Sequence, residues 1–116
     1  MDPRHEKRLK TIQNLFSYSF NLKNNLPYPQ DSSTKLIISY LDQIDDLVKK
    51  YASKFPLQKI AKIDLAILRL AIYELTIELK QPKKVIINEA VELAKEVGGE
   101  RSFAFINGIL GKVYAK

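Results

Sequence analysis

The chain has 116 residues, of which 46% are hydrophobic and 28% are charged, the composition of an ordinary globular domain. It has no cysteine and one histidine, which argues against a disulfide framework, a thiolate nucleophile and a His-based metal or catalytic site. Nineteen Lys and Arg against 13 Asp and Glu give a net charge of +6, which predicts attraction to polyanions.

The N-terminal segment predicts a helix with two different faces. Asp2 is a favourable N-cap, Pro3 suits the first turn, and no helix breaker follows until Asn24. At 100° per residue the apolar side chains gather on one side, namely Leu9, Ile12, Leu15, Phe16 and Phe20. An adjoining side carries Arg4, Lys7, Arg8, Thr11 and Tyr18. We therefore predict a helix over residues 3–22 that packs with one face and presents a basic face beside it.

The middle of the chain predicts a loop, one long helix and a short turn. Residues 24–29 contain two prolines, which prevent a helix there. Asp31 can cap a helix whose apolar residues keep i, i+3, i+4, i+7 spacing from Ser32 to Phe55. Pro56 ends that helix, and a short turn follows.

The second half predicts three helices. Asp64 is expected to cap a central helix that is apolar on two faces, and the next helix follows Pro82 and ends at Gly98. The last helix, over residues 101–115, is expected to pack through Phe103, Ile106, Leu110, Val113 and Tyr114. Without period-two alternation anywhere, the predicted fold is all-α: a compact bundle of five to seven helices in one domain, residues 1–116.

Three features of these helices invite a structural interpretation. Arg69 is a lone cation in the apolar central helix, so we expect a paired or snorkelling arginine that ties helices together. Asn107 lies among apolar residues and is expected to be buried, with its side chain bonded to the backbone. A strip of small residues on the last helix favours an internal helix contact over a docking groove: Ala104, Gly108, Gly111 and Ala115.

The sequence does not indicate an enzyme, a metal site or a cofactor. Its carboxylate pairs, such as Glu74 with Glu78, have the spacing of ordinary solvated helix faces. Its four glycines form no phosphate-binding loop. No apolar run approaches the ~20 residues of a membrane-spanning helix, and charged residues occupy the N-terminal region where a signal peptide has its apolar core. We expect a cytoplasmic protein without catalytic residues.

The best chemical signal is the basic start of the first helix. Arg4, Lys7 and Arg8 share a face, His5 lies beside them, and Tyr18 follows on the same strip. Phosphate contacts followed by a base stacked on an aromatic ring suit single-stranded RNA. The alternative is a solvated N-terminal turn with Tyr18 partly in the core. The residues alone leave both interpretations open.

An ordered set of motifs over residues 64–110 resembles the transcription antitermination factor NusB family. The matching positions are Asp64, Ile67-Leu68-Arg69, Tyr73-Glu74-Leu75, Pro82, Val85, Ile87-Asn88-Glu89-Ala90, Gly98-Gly99 and Phe105-Ile106-Asn107-Gly108-Ile109-Leu110. No single piece is decisive, but the order and spacing together are specific. The resemblance implies a NusB-like helical fold and a non-catalytic function in transcription.

The resemblance also implies partners and site residues. In that family the basic start of the first helix contacts boxA RNA, and the positions that match are Arg4, His5, Lys7 and Arg8. Phe16 and Glu74 match positions near the surface shared by the RNA and a protein partner, the ribosomal protein NusE. The joint complex would be recruited to RNA polymerase. Two departures from the pattern are Glu6, which interrupts the basic run, and the middle region, where one predicted helix replaces the family's two.

Two other function classes fit parts of the sequence. One is the NusB-like accessory domain of an rRNA cytosine methyltransferase, which would need a cofactor-binding catalytic domain elsewhere. The other is a general helical protein-interaction module or DNA binder. Binding without preference for one type of nucleic acid would favour that class.

Overall fold

The computed structural model describes residues 2–21 and 25–115 and confirms the all-α prediction. Its six α-helices are α1 (Pro3–Tyr18), α2 (Ser32–Ser39), α3 (Leu41–Tyr51), α4 (Lys62–Tyr73), α5 (Lys83–Val97) and α6 (Ser102–Tyr114). A 3₁₀ turn occupies Leu57–Lys59, and a π turn, Glu74–Glu78, extends α4. The described residues contain no strand. None of their helices is long and apolar enough to cross a membrane.

Helix α4 is the centre of the bundle. It contacts each of the other five α-helices, and every residue from Asp64 to Tyr73 is buried. A helix that is apolar on all sides is stabilised only when neighbours cover all of it, and each fully buried Leu or Ile contributes about 1.5–3 kcal/mol. The prediction of a central helix is therefore confirmed, and α4 is the scaffold on which the surface helices are positioned.

The prediction for α1 is confirmed at its start and wrong at its end. The Asp2 side chain accepts a hydrogen bond from the backbone N–H of Arg4 at 2.9 Å, as expected of an N-cap. The helix ends at Tyr18, and Asn21 has a left-handed φ of 66°. Phe20 lies outside the helix because the helix stops early. Both Phe16, which is inside the helix, and Phe20 are exposed instead of packed.

A buried polar network holds the following loop and α2 against α1. The Asn14 amide donates to the Tyr28 carbonyl at 2.8 Å and to the Thr34 hydroxyl at 2.9 Å, and its oxygen accepts from the Tyr28 N–H at 2.8 Å. Asp31 caps α2 by accepting from the Thr34 N–H at 3.1 Å, and it also accepts from the Thr11 hydroxyl at 2.7 Å. These bonds satisfy the buried polar groups and fix the entrance to α2.

The predicted single helix over residues 32–55 is wrong, because two helices, α2 and α3, meet at Tyr40. Tyr40 has φ −109° and ψ 15°, outside the α-helical range, and its ring lies 6.5 Å from that of Tyr73. The bend brings both Ile37 and Ile44 into the core, where neither is exposed. The chain therefore has two helices in the region where the sequence predicted only one.

The predicted cap at Asp64 is also wrong. Helix α4 begins at Lys62 after Ala61, which makes no side-chain cap hydrogen bond, and Asp64 lies in the first turn. A carboxylate there still interacts favourably with the positive end of the helix dipole. Its Oδ1 atom is buried and has no hydrogen-bond partner among the described residues.

Helix α6 buries a narrower face than predicted. Ile106, Leu110 and Val113 are buried as expected, whereas Phe103 and Tyr114 are exposed, because they lie about 75° and 95° from the centre of the buried face at about 100° per residue. The strip of small residues lies opposite the core and is exposed, so it is no internal helix contact. Asn107 is exposed as well, and the expectation of a buried, backbone-bonded amide is wrong.

The junction of α5 and α6 depends on Gly98. Helix α5 ends at Val97 and Gly98 is its C-cap, as predicted, but with φ −90° the glycine is not left-handed. A Cβ atom on Gly98 would lie 2.6 Å from the Ala94 carbonyl oxygen and 2.6 Å from the Ser102 side chain. Close approach of the two helices, and not backbone freedom, therefore requires glycine here.

The prediction for Arg69 is confirmed. Its guanidinium donates from Nε and Nη2 to the two carboxylate oxygens of Asp45, each at 2.9 Å. The pair joins α4 to α3 from within the bundle. Such a fork-to-carboxylate pair fixes the orientation of both side chains.

Candidate nucleic-acid interface

The basic face of α1 lines a cleft of about 180 Å³. The cleft lies between α1, the start of α2, the end of α4 and the π turn. Its charged and aromatic lining residues are Arg4, Lys7, Arg8, Tyr73, Glu74, Glu78 and Lys80. The structure thus brings together three of the residues that the sequence assigned to RNA and one that the resemblance assigned to a protein partner.

Arg8 and Glu74 form a nearly buried ion pair in this cleft. The Arg8 Nε donates to the two Glu74 oxygens at 2.9 and 3.2 Å, and Nη2 donates to one of them at 2.7 Å. The side chains are only 11% and 9% exposed, respectively. Hydrogen bonding to Glu74 raises the pKa of Arg8 above its ordinary value, so the guanidinium remains charged.

Arg4 and Lys7 present their charges to solvent. Arg4 donates to the Gln81 side chain at 3.2 Å and lies 3.6 Å from the Asp2 carboxylate, yet it remains largely exposed. Lys7, one turn along the same face, is exposed and forms no ion pair with any described residue. Their positive charges are therefore available to a ligand.

His5 holds the first turn of α1 against α5. Its Nδ1 hydrogen-bonds to Glu89, and its Nε2 lies 3.1 Å from Glu96. The hydrogen bond to Glu89 is the main cause that raises the pKa of His5, although partial desolvation opposes it. Both ring nitrogens are engaged with carboxylates, so the imidazole positions α1 next to the cleft.

The aromatic candidates lie at the other end of α1. Tyr18 is the last residue of the helix, is half-buried, and lines a hollow at the junction of α2 and α3. The helical rise places it about 21 Å from Arg4 along the axis. Phe16 is 37% exposed and meets Phe20 edge-to-face at 5.0 Å, and the Lys62 ammonium lies 5.2 Å from the Phe20 ring centroid.

Lys80 and Tyr73 are cleft residues that no pattern in the sequence identified. The π turn ends at Glu78, and its C-cap Leu79 has a left-handed φ of 58° and an N–H that donates to the Glu74 carbonyl at 3.0 Å. This turn leads the chain to Lys80 in the cleft wall. No sequence motif signals a π turn or a left-handed leucine. Among the described residues, no group of three or more His, Cys, Asp or Glu side chains could hold a metal ion.

Comparison with known proteins places the chain in one family. The model of the NusB family matches residues 5–115. The transcription antitermination protein NusB of Acetivibrio thermocellus is 45% identical over 112 residues, which cover 97% of this chain and 74% of that protein. The proteins of the same name from Agathobacter rectalis and Dehalococcoides mccartyi are 45% and 46% identical, but the match spans only 63% and 56% of their lengths.

Solved structures show the same architecture. T. maritima NusB is 34% identical, superposes with a TM-score of 0.83, and is matched over 99% of this chain and 92% of its own. A chain in a structure entitled "Crystal Structure of a Plectonemic RNA Supercoil" is 21% identical, with a TM-score of 0.81 over 99% of this chain, and shows the fold alone. The motifs, the helical fold and the matched relatives agree, and the chain belongs to the NusB family.

Proposed function

We propose that this chain is a transcription antitermination factor that binds boxA-like single-stranded RNA together with the ribosomal protein NusE. It acts without catalysis, in the cytoplasm, and the joint complex associates with RNA polymerase. The observation that carries the proposal is the pair of exposed cations, Arg4 and Lys7, on one face of α1 beside a cleft. Membership of a family whose curated members are named antitermination proteins supports it.

The geometry of α1 favours a single strand. Exposed cations at the start of the helix attract phosphates, and Tyr18, farther along, offers a ring on which an unpaired base stacks. Stacking of one base on an aromatic side chain contributes about 1–3 kcal/mol, and a duplex does not offer that contact without unstacking. His5 and Arg8 hold carboxylates already, so their charges are not offered to RNA while those pairs persist.

The proposed protein partner docks near Phe16 and Glu74. Phe16 and Phe20 form an exposed aromatic pair beside Lys62, and exposed aromatic groups are the usual anchors of protein interfaces. Glu74 contributes through its pair with Arg8, which links the cleft to the end of α4. A docked NusE adds a second RNA-contacting surface, and linked contacts strengthen binding by raising the effective concentration.

Equilibrium binding at several salt concentrations tests the proposal. Short boxA-like RNA should bind more tightly than duplex DNA of equal length in matched salt. If about three phosphates are neutralised, log K should fall against log[salt] with a slope of about −2. Lys7→Ala should weaken RNA binding, whereas Lys49→Ala, an exposed lysine on α3 away from the cleft, should not. Equal affinities for RNA and duplex DNA would remove the RNA-specific function.

A further inference from the structure

Lys80 supplies a cation that the sequence pattern of α1 does not contain. It follows the left-handed Leu79, lines the same cleft as Arg4 and Lys7, and is exposed. It forms no ion pair with any other described residue. Two lysines and an arginine from separate segments of the chain therefore share one cleft with their charges unpaired or only weakly paired.

The charges in the cleft divide into a satisfied pair and an unsatisfied excess. Arg8 and Glu74 neutralise each other through three hydrogen bonds and are nearly buried. Of the remaining lining residues, Arg4, Lys7 and Lys80 carry positive charge against the single carboxylate of Glu78. The net excess of two positive charges lies where a solvent-accessible cleft of about 180 Å³ admits a small anionic group.

Tyr73 offers the cleft a further polar group. Tyr73 is 5% exposed, and its hydroxyl makes no hydrogen bond with any described residue although the residue lines the cleft. Burial raises the pKa of Tyr73, so the phenol keeps its proton and can donate to an anion. The adjoining Arg8–Glu74 pair orders the wall without offering its charge, because both partners are already satisfied.

We propose that Lys80, and not Arg8, neutralises one phosphate of the RNA backbone in this cleft, beside the phosphates that Arg4 and Lys7 neutralise. The inference rests on the proposed function, since it assigns a phosphate contact within RNA binding. Arg8 acts as a positioning residue that holds Glu74 away from the phosphate. Glu78 opposes the phosphate by charge and limits its affinity.

Charge variants measured by RNA binding test this assignment. One lost phosphate contact on a single strand removes about 0.7 from the salt slope, which corresponds to about a five-fold loss of affinity at 0.1 M salt. Lys80→Ala should show both changes, and the exposed control Lys49→Ala should show neither. Glu78→Gln should strengthen binding, a gain that misfolding would not produce.

A double variant isolates Arg8. Replacing both members of a buried ion pair by apolar groups is often close to neutral for stability, whereas removing one leaves an unpaired buried charge. The variant Arg8→Met with Glu74→Met should therefore fold and keep its affinity for RNA alone and its salt slope. If that variant loses about 0.7 of the slope while Lys80→Ala matches its control, Arg8 is the contact and the inference is overturned.

The two proposals fail in different ways. If the wild-type protein prefers RNA and Lys7→Ala weakens binding, but Lys80→Ala is equal to Lys49→Ala, the RNA-binding function stands and the role of Lys80 is wrong. If the wild-type protein binds RNA no better than duplex DNA, the proposed function fails and the RNA phosphate site fails with it.

Discussion

Removal of the Arg69 side chain should destabilise the fold more than any surface change. The guanidinium is 8% exposed and its partner Asp45 is 15% exposed, with two hydrogen bonds of 2.9 Å between them. Arg69→Ala leaves the nearly buried Asp45 carboxylate without its two hydrogen-bond donors. Breaking a buried pair costs about 3–5 kcal/mol, and the residual exposure of Asp45 favours the lower figure, about 3 kcal/mol. For a chain of this size we expect Tm to fall by about 12 °C.

Urea unfolding and thermal melts followed by circular dichroism measure this cost. Arg101→Ala is the matched control, because Arg101 is exposed and its loss should change the free energy of unfolding by less than about 0.5 kcal/mol. The double variant Arg69→Met with Asp45→Leu should recover most of the stability, since neither charge remains buried.

Two results would contradict a scaffold role for Arg69. A Tm for Arg69→Ala within about 2 °C of wild type would mean that the pair contributes little. An unchanged Tm together with lost RNA affinity would place Arg69 in the binding surface and not in the scaffold.

The other predictions concern pH, the glycines and the protein partner. Hydrogen bonding to carboxylates raises the pKa of His5 above 6.5, so the contribution of His5 to stability is complete below that pH and is lost as the pH rises through the folded-state pKa. The difference in unfolding free energy between wild type and His5→Gln should therefore shrink over that range. A difference that is independent of pH would contradict this prediction. Gly98→Ala should lower the free energy of unfolding in urea by about 1–3 kcal/mol, because the added Cβ clashes with its neighbours. Gly111→Ala, whose added Cβ meets nothing within 4 Å, should raise it by up to about 1 kcal/mol. The opposite order would show that the α5–α6 junction is loose. Phe16→Ala should reduce the gain in RNA affinity that NusE provides more than it reduces the affinity for RNA alone. Circular dichroism checks that the variant folds. Equal losses would remove Phe16 from the partner surface.

Local signals in the sequence predicted much of the fold. Asp2 marks the start of α1 and Pro82 precedes α5, because capping and the lack of a proline N–H act within one turn. Pro56 was a poorer signal, since α3 ends at Tyr51, five residues before it. The apolar residues on all sides of α4 predicted its central position. Each of these signals depends only on neighbouring residues or on helical period.

Features set by packing between distant segments were not predictable in the same way. The break at Tyr40 is hidden because Ile37 and Ile44, seven residues apart, keep the period of one continuous helix across it. Small residues on α6 suit either a close helix contact or an exposed face, and only the position of the buried face decides between them.

The candidate site shows the same division. The basic face of α1 was predictable from its helical period, and the structure places Arg4, Lys7 and Arg8 along one cleft. The partners of Arg8 and His5 were not predictable, because Glu74 is 66 residues from Arg8 and Glu89 is 84 residues from His5. Lys80 was missed for a related reason, since a π turn brings it to the cleft.

The proposed function requires that α1 and a docked NusE bind one RNA strand jointly. Fluorescence anisotropy of a labelled boxA-like RNA, titrated with this protein in the presence and absence of NusE, measures this joint binding, with a scrambled RNA of equal length as the control. We expect NusE to strengthen binding of the boxA-like strand and to have a smaller effect on the scrambled strand. An affinity for the boxA-like RNA that does not change when NusE is added would contradict the joint complex and leave a stand-alone RNA-binding protein.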